Sequence, residues 1–161
     1  MTTNIFLADY NNRQHEQDLV FLLNEYALDP MGGGEELSPF VKEHLVATMA
    51  KRDDLFSILC YVDDQPAGLI NCVEGFSTFA CKPVMNIHDV VVLKQYRGLG
   101  LSTKMLAEVE ALAAFRGCCK LTLEVLEGNT TAQASYKSFG FSGYELDPKL
   151  GKAMFWEKKI Q

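Results

Sequence analysis

The stretch KQYRGLGLST, residues 94–103, joins an apolar segment to a segment with helical periodicity. The apolar segment before it ends in Val90-Val91-Val92-Leu93. Glycines let the main chain approach an anion closely, and a helix N-terminus presents unpaired N–H groups and partial positive charge. The hydroxyls of Ser102 and Thr103 and the guanidinium of Arg97 add further donors. The turn therefore predicts a phosphate-binding site at the start of a helix.

Three alternative kinds of turn differ in the residues that they require. Gly98 and Gly100 would also suit a tight strand-to-helix turn that binds nothing. The P-loop needs a lysine before its Ser or Thr, and no lysine precedes Ser102. The dinucleotide-binding pattern needs a third glycine where Thr103 stands, in a turn that follows the first strand. We therefore expect no NAD(P) binding.

The rest of the chain shows a mixture of two-residue and helical periodicities around this turn. Strands are predicted at residues 4–8, 55–62, 67–76, 84–93, 121–126, 141–146 and 153–160, and helices at 14–28, from Ser38-Pro39 onward, at 100–116 and at 129–139. Helices attached to one sheet predict a three-layer α/β (α+β) architecture. A length of 161 residues without repeat or linker fits a single domain over 1–161.

The amino-acid composition excludes several classes of protein and favours others. Hydrophobic residues make up 48% and charged residues 22%, as in globular proteins, and no apolar run approaches the ~20 residues of a membrane span. The start of the chain lacks the pattern of a signal peptide, so we expect a cytoplasmic protein with no membrane partner. A net charge of −6 argues against nucleic acid as a partner and favours a cationic or neutral small substrate. The five cysteines lack metal-ligand spacing, so we expect no metal site.

Two segments resemble a known family. Gln95-Tyr96-Arg97-Gly98-Leu99-Gly100 resembles the Q/R-x-x-G-x-G/A signature of the GNAT N-acetyltransferase superfamily, which binds acyl-coenzyme A. The strand at 121–125 is followed by Asn129 and then by Ala132 and Tyr136. This order resembles a second segment of the family, in which a strand is followed by Asn and then by an Ala-x-x-x-Tyr pattern. The resemblance covers residues 84–146. It implies a mixed, mostly antiparallel sheet flanked by helices. The departure is Ser102, where many members carry a third glycine.

The resemblance also implies roles for individual residues. The main chain of Val90, Val91 and Val92 would pair with the pantetheine arm, and Asn129 would touch that arm. The pyrophosphate would lie against the residues of the turn, which are Gln95, Arg97, Gly98, Leu99, Gly100, Leu101, Ser102 and Thr103. Tyr136 would be the acid for the leaving thiolate.

The sequence offers several candidates for the general base. His88 and Asp89 precede the predicted pantetheine site, and strand alternation sends them to opposite faces. His88 stands where some polyamine-acetylating members carry a glutamate, and an ordinary imidazole pKa of ~6.5 suits a base at neutral pH. Asp89, Glu74 on the preceding strand and a water chain are the alternatives.

The expected activity is transfer of an acetyl group from acetyl-CoA, as co-substrate, to the amine of a small molecule by direct attack. Acetylation of a protein or peptide amine is one alternative, and a catalytically silent acyl-CoA sensor is another. Dimerisation is common in the family that the chain resembles, and the two last predicted strands are candidate contacts of a homodimer.

Overall fold

The computed structural model describes all 161 residues. Five strands and four α-helices follow one another along the chain, and two 3-10 turns lie at Pro30–Gly32 and Lys94–Tyr96. The elements are β1 (Thr3–Leu7), α1 (Arg13–Leu28), α2 (Pro39–Met49), β2 (Leu55–Val62), β3 (Gln65–Ser77), β4 (Lys82–Val92), α3 (Leu101–Phe115), β5 (Leu121–Leu123) and α4 (Thr130–Phe139). None of the helices combines the length and apolar character needed to cross a membrane.

The strands form one mixed sheet in the order β1-β2-β3-β4-β5. The pairs from β1 to β4 are antiparallel, and β5 pairs with β4 in parallel. The predicted mixed, mostly antiparallel sheet is therefore confirmed. Asp63 and Asp64 both have positive φ, 48° and 62°, in the two-residue turn between β2 and β3, a geometry that matches the twist of a tight hairpin.

Helices cover both faces of the sheet and produce three layers. On one face, Leu19 and Leu22 of α1 and Val46 of α2 pack with the strand residues Leu59 and Leu69. On the other face, α3 packs against the strand residues whose side chains point away from α1 and α2. The α3 residues Met105, Leu106 and Val109 are fully buried there. The 3.6-residue apolar spacing of the helices and the two-residue spacing of the strands account for this arrangement.

Caps set the helix boundaries where the sequence indicated them. Ser38 accepts a hydrogen bond from the main-chain N of Val41 at 3.2 Å, with Pro39 as the first residue of α2. A partly buried polar contact holds α1 on the sheet, because Tyr61 of β2 donates to the Asp18 carboxylate at 2.5 Å.

A β-bulge interrupts β4. Asn71 of β3 pairs with Asp89, but the next β3 residue, Cys72, pairs with Ile87, which leaves His88 as the extra residue. Pairing between β4 and β5 ends at the same level, with Ile87 opposite Leu123. Beyond this point the two strands separate, and the last part of β4 has a free edge.

Two predictions about the C-terminal part are wrong. The strand predicted at 121–126 ends at Leu123, because the bulge turns β4 away and no partner remains. The predicted closing strands at 141–146 and 153–160 are irregular, joined by a single main-chain hydrogen bond from Ala153 N to Tyr144 O at 3.3 Å. Their apolar side chains contact little, and Trp156 is 79% exposed. Alternating sequence alone does not supply a neighbouring strand.

The glycines of β3 offer a test of the packing. A Cβ on Gly68 would lie 2.9 Å from the carbonyl oxygen of Val91 and 2.8 Å from the methyl of Met105, whereas a Cβ on Gly75 would have an ordinary 3.5 Å contact. We expect Gly68→Ala to lower the free energy of unfolding by about 1–3 kcal/mol through overpacking. The matched variant Gly75→Ala should change it little. Equal loss of stability in the two variants, measured by urea unfolding, would contradict the described approach of β3, β4 and α3.

Candidate active site

The separation of β4 and β5 opens a groove of about 730 Å³. The main chain and side chains around it come from segments far apart in sequence: the end of α1 and the turn after it, the end of β4, the start of α3 and the start of α4. The lining residues are Glu25, Tyr26, Leu28, Asp29, Met31, Val90, Val91, Val92, Leu93, Lys94, Tyr96, Arg97, Gly98, Gly100, Leu101, Ser102, Asn129, Thr131, Ala132, Ser135 and Tyr136.

One wall of the groove is the free edge of β4. Leu93 donates its N–H to the carbonyl of Ala67 on β3 at 2.9 Å. Because main-chain groups alternate in direction along a strand, those of Val91 also point to β3, and those of Val90 and Val92 point into the groove. The edge therefore offers main-chain donors and acceptors to an extended ligand, in the manner of an added strand.

The floor of the groove ends at the glycine turn. Gly98 and Gly100 have φ of 79° and 72°, which a residue with Cβ rarely adopts, and a Cβ at either position would meet open space. Gly100 precedes α3 without a side-chain cap. The main-chain N–H groups of residues 98–103 donate to no protein acceptor. Uncapped donors beside open space fit an anionic group such as a pyrophosphate.

Arg97 is held at the edge of the groove by two contacts. Its Nε donates to the carbonyl oxygen of Val92 at 3.2 Å, and its Nη2 lies 3.7 Å from the Asp29 carboxylate. The ion pair joins the turn after α1 to the glycine turn. An anion in the groove would share this guanidinium with Asp29.

The opposite wall comes from α4. The Oδ1 of Asn129 caps this helix by accepting from Ala132 N at 3.2 Å, and its Nδ2 donates to no protein acceptor. Ser135 and Ser102 have hydroxyl oxygens 3.3 Å apart, which connects α4 to α3 across the groove. Asn129 therefore both shapes the wall and keeps a donor available.

Two phenols line the groove and interact electrostatically with each other. Burial, with a smaller effect from Tyr26, raises the pKa of Tyr136 to about 12. Burial and the charges of Asp89 and Asp29 raise the pKa of Tyr26. Both side chains line the groove, Tyr26 from α1 and Tyr136 from α4. Each remains a neutral hydrogen-bond donor at neutral pH.

The candidate bases differ in their surroundings. Asp89 is half-buried, and burial raises the pKa of its carboxyl, opposed by a hydrogen bond from Asn71 and by the charge of His88. His88 is exposed at the bulge. Glu74 is bound by Arg116 through contacts of 2.6 and 3.2 Å, away from the groove. Of the carboxylates, Asp89 combines proximity to Tyr26 with the freedom to take a proton.

The structure brings most of the predicted site residues into the groove. Those that line it are Val90, Val91, Val92, Arg97, Gly98, Gly100, Leu101, Ser102, Asn129 and Tyr136. Gln95, Leu99 and Thr103 lie in or beside the glycine turn without lining the groove, and His88 and Asp89 precede its first β4 residue.

Several lining residues were missed by the sequence analysis. In the sequence, Tyr26 stands at helical spacing from Leu19, Leu22 and Leu23, and Asp29 precedes Pro30, so the local pattern alone indicates an apolar helix face and a loop. The available signal was their position at the end of a helix just before a glycine-rich turn. A second depression of about 490 Å³ lies between α1 and α2 and is lined mainly by polar side chains. It offers no free strand edge, and the N-terminus of α1 beside it is capped by the Asn12 side chain.

The model of the acetyltransferase (GNAT) family matches residues 19–141, a range that includes most of α1, the sheet from β2 to β5, the glycine turn and α4. The chain belongs to the GNAT acetyltransferase family. The groove of this GNAT chain is thus lined by residues within the matched range.

Relatives and solved structures agree with this family. A thialysine N-ε-acetyltransferase from Mus musculus is 37% identical over 65 residues, which is 40% of this chain and 38% of the relative. The matched part of the chain thus spans well under half of that relative's length. A probable acetyltransferase of known structure superposes with a TM-score of 0.82 at 19% identity, covering 98% of this chain and 99% of that one. An aminoglycoside N-acetyltransferase in complex with CoA gives 0.75 at 17% identity, covering 99% and 96%. These superpositions show the GNAT fold.

The glycine turn can be tested with a matched pair of variants. Gly100 and Gly117, at the two ends of α3, have φ of 72° and 78° and open space around an added Cβ. We expect Gly100→Ala and Gly117→Ala each to cost about 1–2 kcal/mol of stability through backbone strain. Only Gly100→Ala should also weaken CoA binding, because it shifts N–H groups at the groove. Equal CoA affinity of both variants, measured by calorimetry, would place the anion elsewhere.

Proposed function

We propose that this chain transfers an acetyl group from acetyl-CoA to the amine of a small molecule. The observation that carries this proposal is the groove itself, where the free edge of β4 leads to the uncapped start of α3. Family membership and the GNAT fold support the class of reaction, and the similarity to a thialysine N-ε-acetyltransferase supports an amine as acceptor.

The donor would lie along the groove in an extended conformation. The main-chain groups of Val90 and Val92 pair with the amides of the pantetheine arm, and the Nδ2 of Asn129 approaches the arm from the opposite wall. The pyrophosphate accepts hydrogen bonds from the main chain of residues 98–103 at the start of α3. Its charge also attracts Arg97, whose present anion partner is Asp29.

This placement puts the thioester near the bulge of β4. The nitrogen of the neutral amine attacks the carbonyl carbon, a C–N bond forms, and the C–S bond breaks. The proton lost by the nitrogen moves to the Asp89 carboxylate and from there to solvent. The sulfur leaves as a thiolate and is protonated by solvent. Atoms and charge balance without a metal or a covalent enzyme intermediate.

Tyr136 would stabilise the leaving thiolate. A phenol with a pKa of about 12 is a weaker acid than an ordinary thiol, whose pKa is ~8.5, so full proton transfer to the sulfur is uphill. A hydrogen bond to the developing negative charge has no such penalty and is strongest in the transition state. We therefore assign Tyr136 the role of hydrogen-bond donor.

Charge favours a cationic acceptor. Glu25 lines the groove on its α1 side, the charge of Asp89 acts on Tyr26, and the chain has a net charge of −6. An ammonium group is attracted to this side and gives up one proton before attack. Small primary amines, including amino-acid side-chain amines, fit these conditions.

The deciding experiment measures release of free CoA thiol from acetyl-CoA with a panel of small amines. We expect release well above background with at least one primary amine, and an acetylated product detectable by mass spectrometry. Tight CoA binding without release for any acceptor would contradict the proposed transfer.

Replacement of Tyr136 by Phe separates binding from turnover. The loss of the phenolic donor should reduce kcat by roughly 10²-fold or more, with CoA affinity nearly unchanged. Tyr144→Phe is the matched control, because Tyr144 is 60% exposed and outside the groove. The role of Tyr136 would be rejected if steady-state kinetics gave the same kcat for both variants.

The pH dependence identifies the base. The base acts when deprotonated, and burial raises the pKa of Asp89, so turnover should fall as the pH drops through that raised value. Asp89→Asn should remove this acidic limb and lower the plateau by roughly 10²-fold. His88→Ala should keep the limb and move it to higher pH, because a positive charge that lowers the pKa of Asp89 is lost. Loss of the limb in His88→Ala instead would identify His88 as the base.

A further inference from the structure

A row of polar side chains crosses the sheet on the face covered by α1 and ends at Asp89. Ser57 of β2 is opposite Asn71 of β3, and Asn71 is opposite Asp89 of β4. Tyr10, in the segment after β1, reaches the other end of the row. Ser57 is fully buried and Asn71 is buried. We call Tyr10, Ser57 and Asn71 the polar row.

The contacts along the row are continuous. The Tyr10 and Ser57 hydroxyl oxygens are 2.8 Å apart, Ser57 Oγ is 2.6 Å from Asn71 Oδ1, and Asn71 Nδ2 is 3.1 Å from Asp89 Oδ2. No buried side-chain oxygen or nitrogen of the chain lacks a partner. The row is therefore a complete hydrogen-bonded connection from the β1 side of the sheet to the carboxylate.

The chemistry of the groups fixes the direction of each hydrogen bond. A carboxylate only accepts, so the Asn71 amide N–H donates to Asp89 and the Asn71 carbonyl faces Ser57. That carbonyl also only accepts, so the single hydroxyl hydrogen of Ser57 is used there. Ser57 Oγ is then left to accept from Tyr10, whose pKa burial raises to about 12. Every donor in the row points toward Asp89.

Stability alone gives no reason for these residues. The neighbouring row of the same face, formed by Leu59, Leu69 and Val91, is apolar and packs under α1 and α2. Apolar residues of matching shape would serve as well at positions 57 and 71, because a buried hydrogen bond contributes little net free energy once desolvation is counted. The distinctive result of the polar row is a fixed, charge-assisted hydrogen bond on one oxygen of Asp89.

This inference rests on the proposed acyl transfer with Asp89 as proton acceptor. We propose that Tyr10, Ser57 and Asn71 are positioning residues that hold the Asp89 carboxylate in place and keep it ionised for proton transfer from the acceptor amine. One carboxylate oxygen is occupied by Asn71, which leaves the other to accept the proton. An amide does not relay protons, so the proton leaves Asp89 on the groove side rather than through the row.

The remaining groups around Asp89 act on its ionisation as well. Burial disfavours the negative charge of Asp89. The neighbouring Cys72 thiol and Tyr26 phenol are neutral and bring no positive charge to it. His88 does stabilise the negative charge when it is protonated. The hydrogen bond from Asn71 favours the ionised form at every pH. Its loss should therefore make Asp89 harder to ionise, and the active form should appear only at higher pH.

The test compares two Asn→Leu variants. Asn71→Leu removes the last donor of the row, and Asn86→Leu removes a similar cross-strand amide bond, from Asn86 Nδ2 to Thr122 Oγ1 at 2.8 Å, that does not touch Asp89. We expect Asn71→Leu to lower kcat roughly tenfold on the acidic side of the pH profile, since a hydrogen bond to a charged group is stronger than one between neutral groups. KM for acetyl-CoA should not change. Asn86→Leu should keep the wild-type pH profile.

A second readout does not depend on turnover. In ¹³C-labelled protein, the Asp89 carboxyl carbon is titrated by NMR and assigned by its absence in Asp89→Asn. We expect its midpoint to move to higher pH in Asn71→Leu and not in Asn86→Leu. Identical midpoints in the wild-type chain and Asn71→Leu would overturn the proposal. A shifted midpoint in a chain that acetylates no amine would instead show that the proposed function has failed.

If Asn71→Leu does not fold, the variants Ser57→Ala and Tyr10→Phe test the same proposal. Each interrupts the row farther from the carboxylate, so the midpoint of Asp89 should move in the same direction by less, with Ser57→Ala ahead of Tyr10→Phe. A purely structural row would lower the unfolding temperature of both variants and leave the titration of Asp89 unchanged, which would also overturn the proposal.

Discussion

The extra residue at His88 is the constraint from which the rest of the site follows. One residue of β3 faces two of β4 there, so β4 bends, and its pairing with β5 stops at Ile87. The bend exposes the main-chain edge at Val90 and Val92 and opens the groove between two strands that would otherwise form a continuous ladder. It also turns Asp89 into register with Asn71. A strand without the bulge would close the groove and break the polar row at the same time.

Two opposing effects act on the pKa of the Asp89 carboxyl. Burial favours the protonated carboxyl, whereas the hydrogen bond from Asn71 and the charge of His88 favour the ionised form. A base needs a pKa close to the working pH, and neither effect alone produces one: burial without donors neutralises the group, and full solvation makes it a weak base. The arrangement around Asp89 combines both effects through Asn71 of β3 and His88 of β4.

The sequence predicted the parts of this molecule that depend on local patterns. The apolar end of β4, the glycine turn and the start of α3 lie next to one another in the chain, and they were located to within a few residues. The family was identified from the same stretch and from Asn129 and Tyr136. Tyr26 was not found, because a tyrosine in an apolar helix stripe looks the same whether it faces a core or a groove.

The failures have a common physical cause, which is that they depend on partners distant in sequence. The alternating segment after Phe141 has strand-like residues but no strand to pair with, and β5 ends early because of an event in β4. Ser57 and Asn71 were visible as polar interruptions of apolar strands. Their meaning appeared only when the register placed them on a line to Asp89.

The groove joins parts of the chain that are far apart in sequence. The end of α1, the turn that holds Asp29, the edge of β4 and the start of α4 all line it, and the side-chain hydrogen bond between α4 and α3 is the 3.3 Å contact of Ser135 with Ser102. A ligand that fills the groove acts as a non-covalent cross-link between these segments. Much of its binding free energy would then appear as reduced motion of α4 and of the turn after α1, well away from the atoms that react.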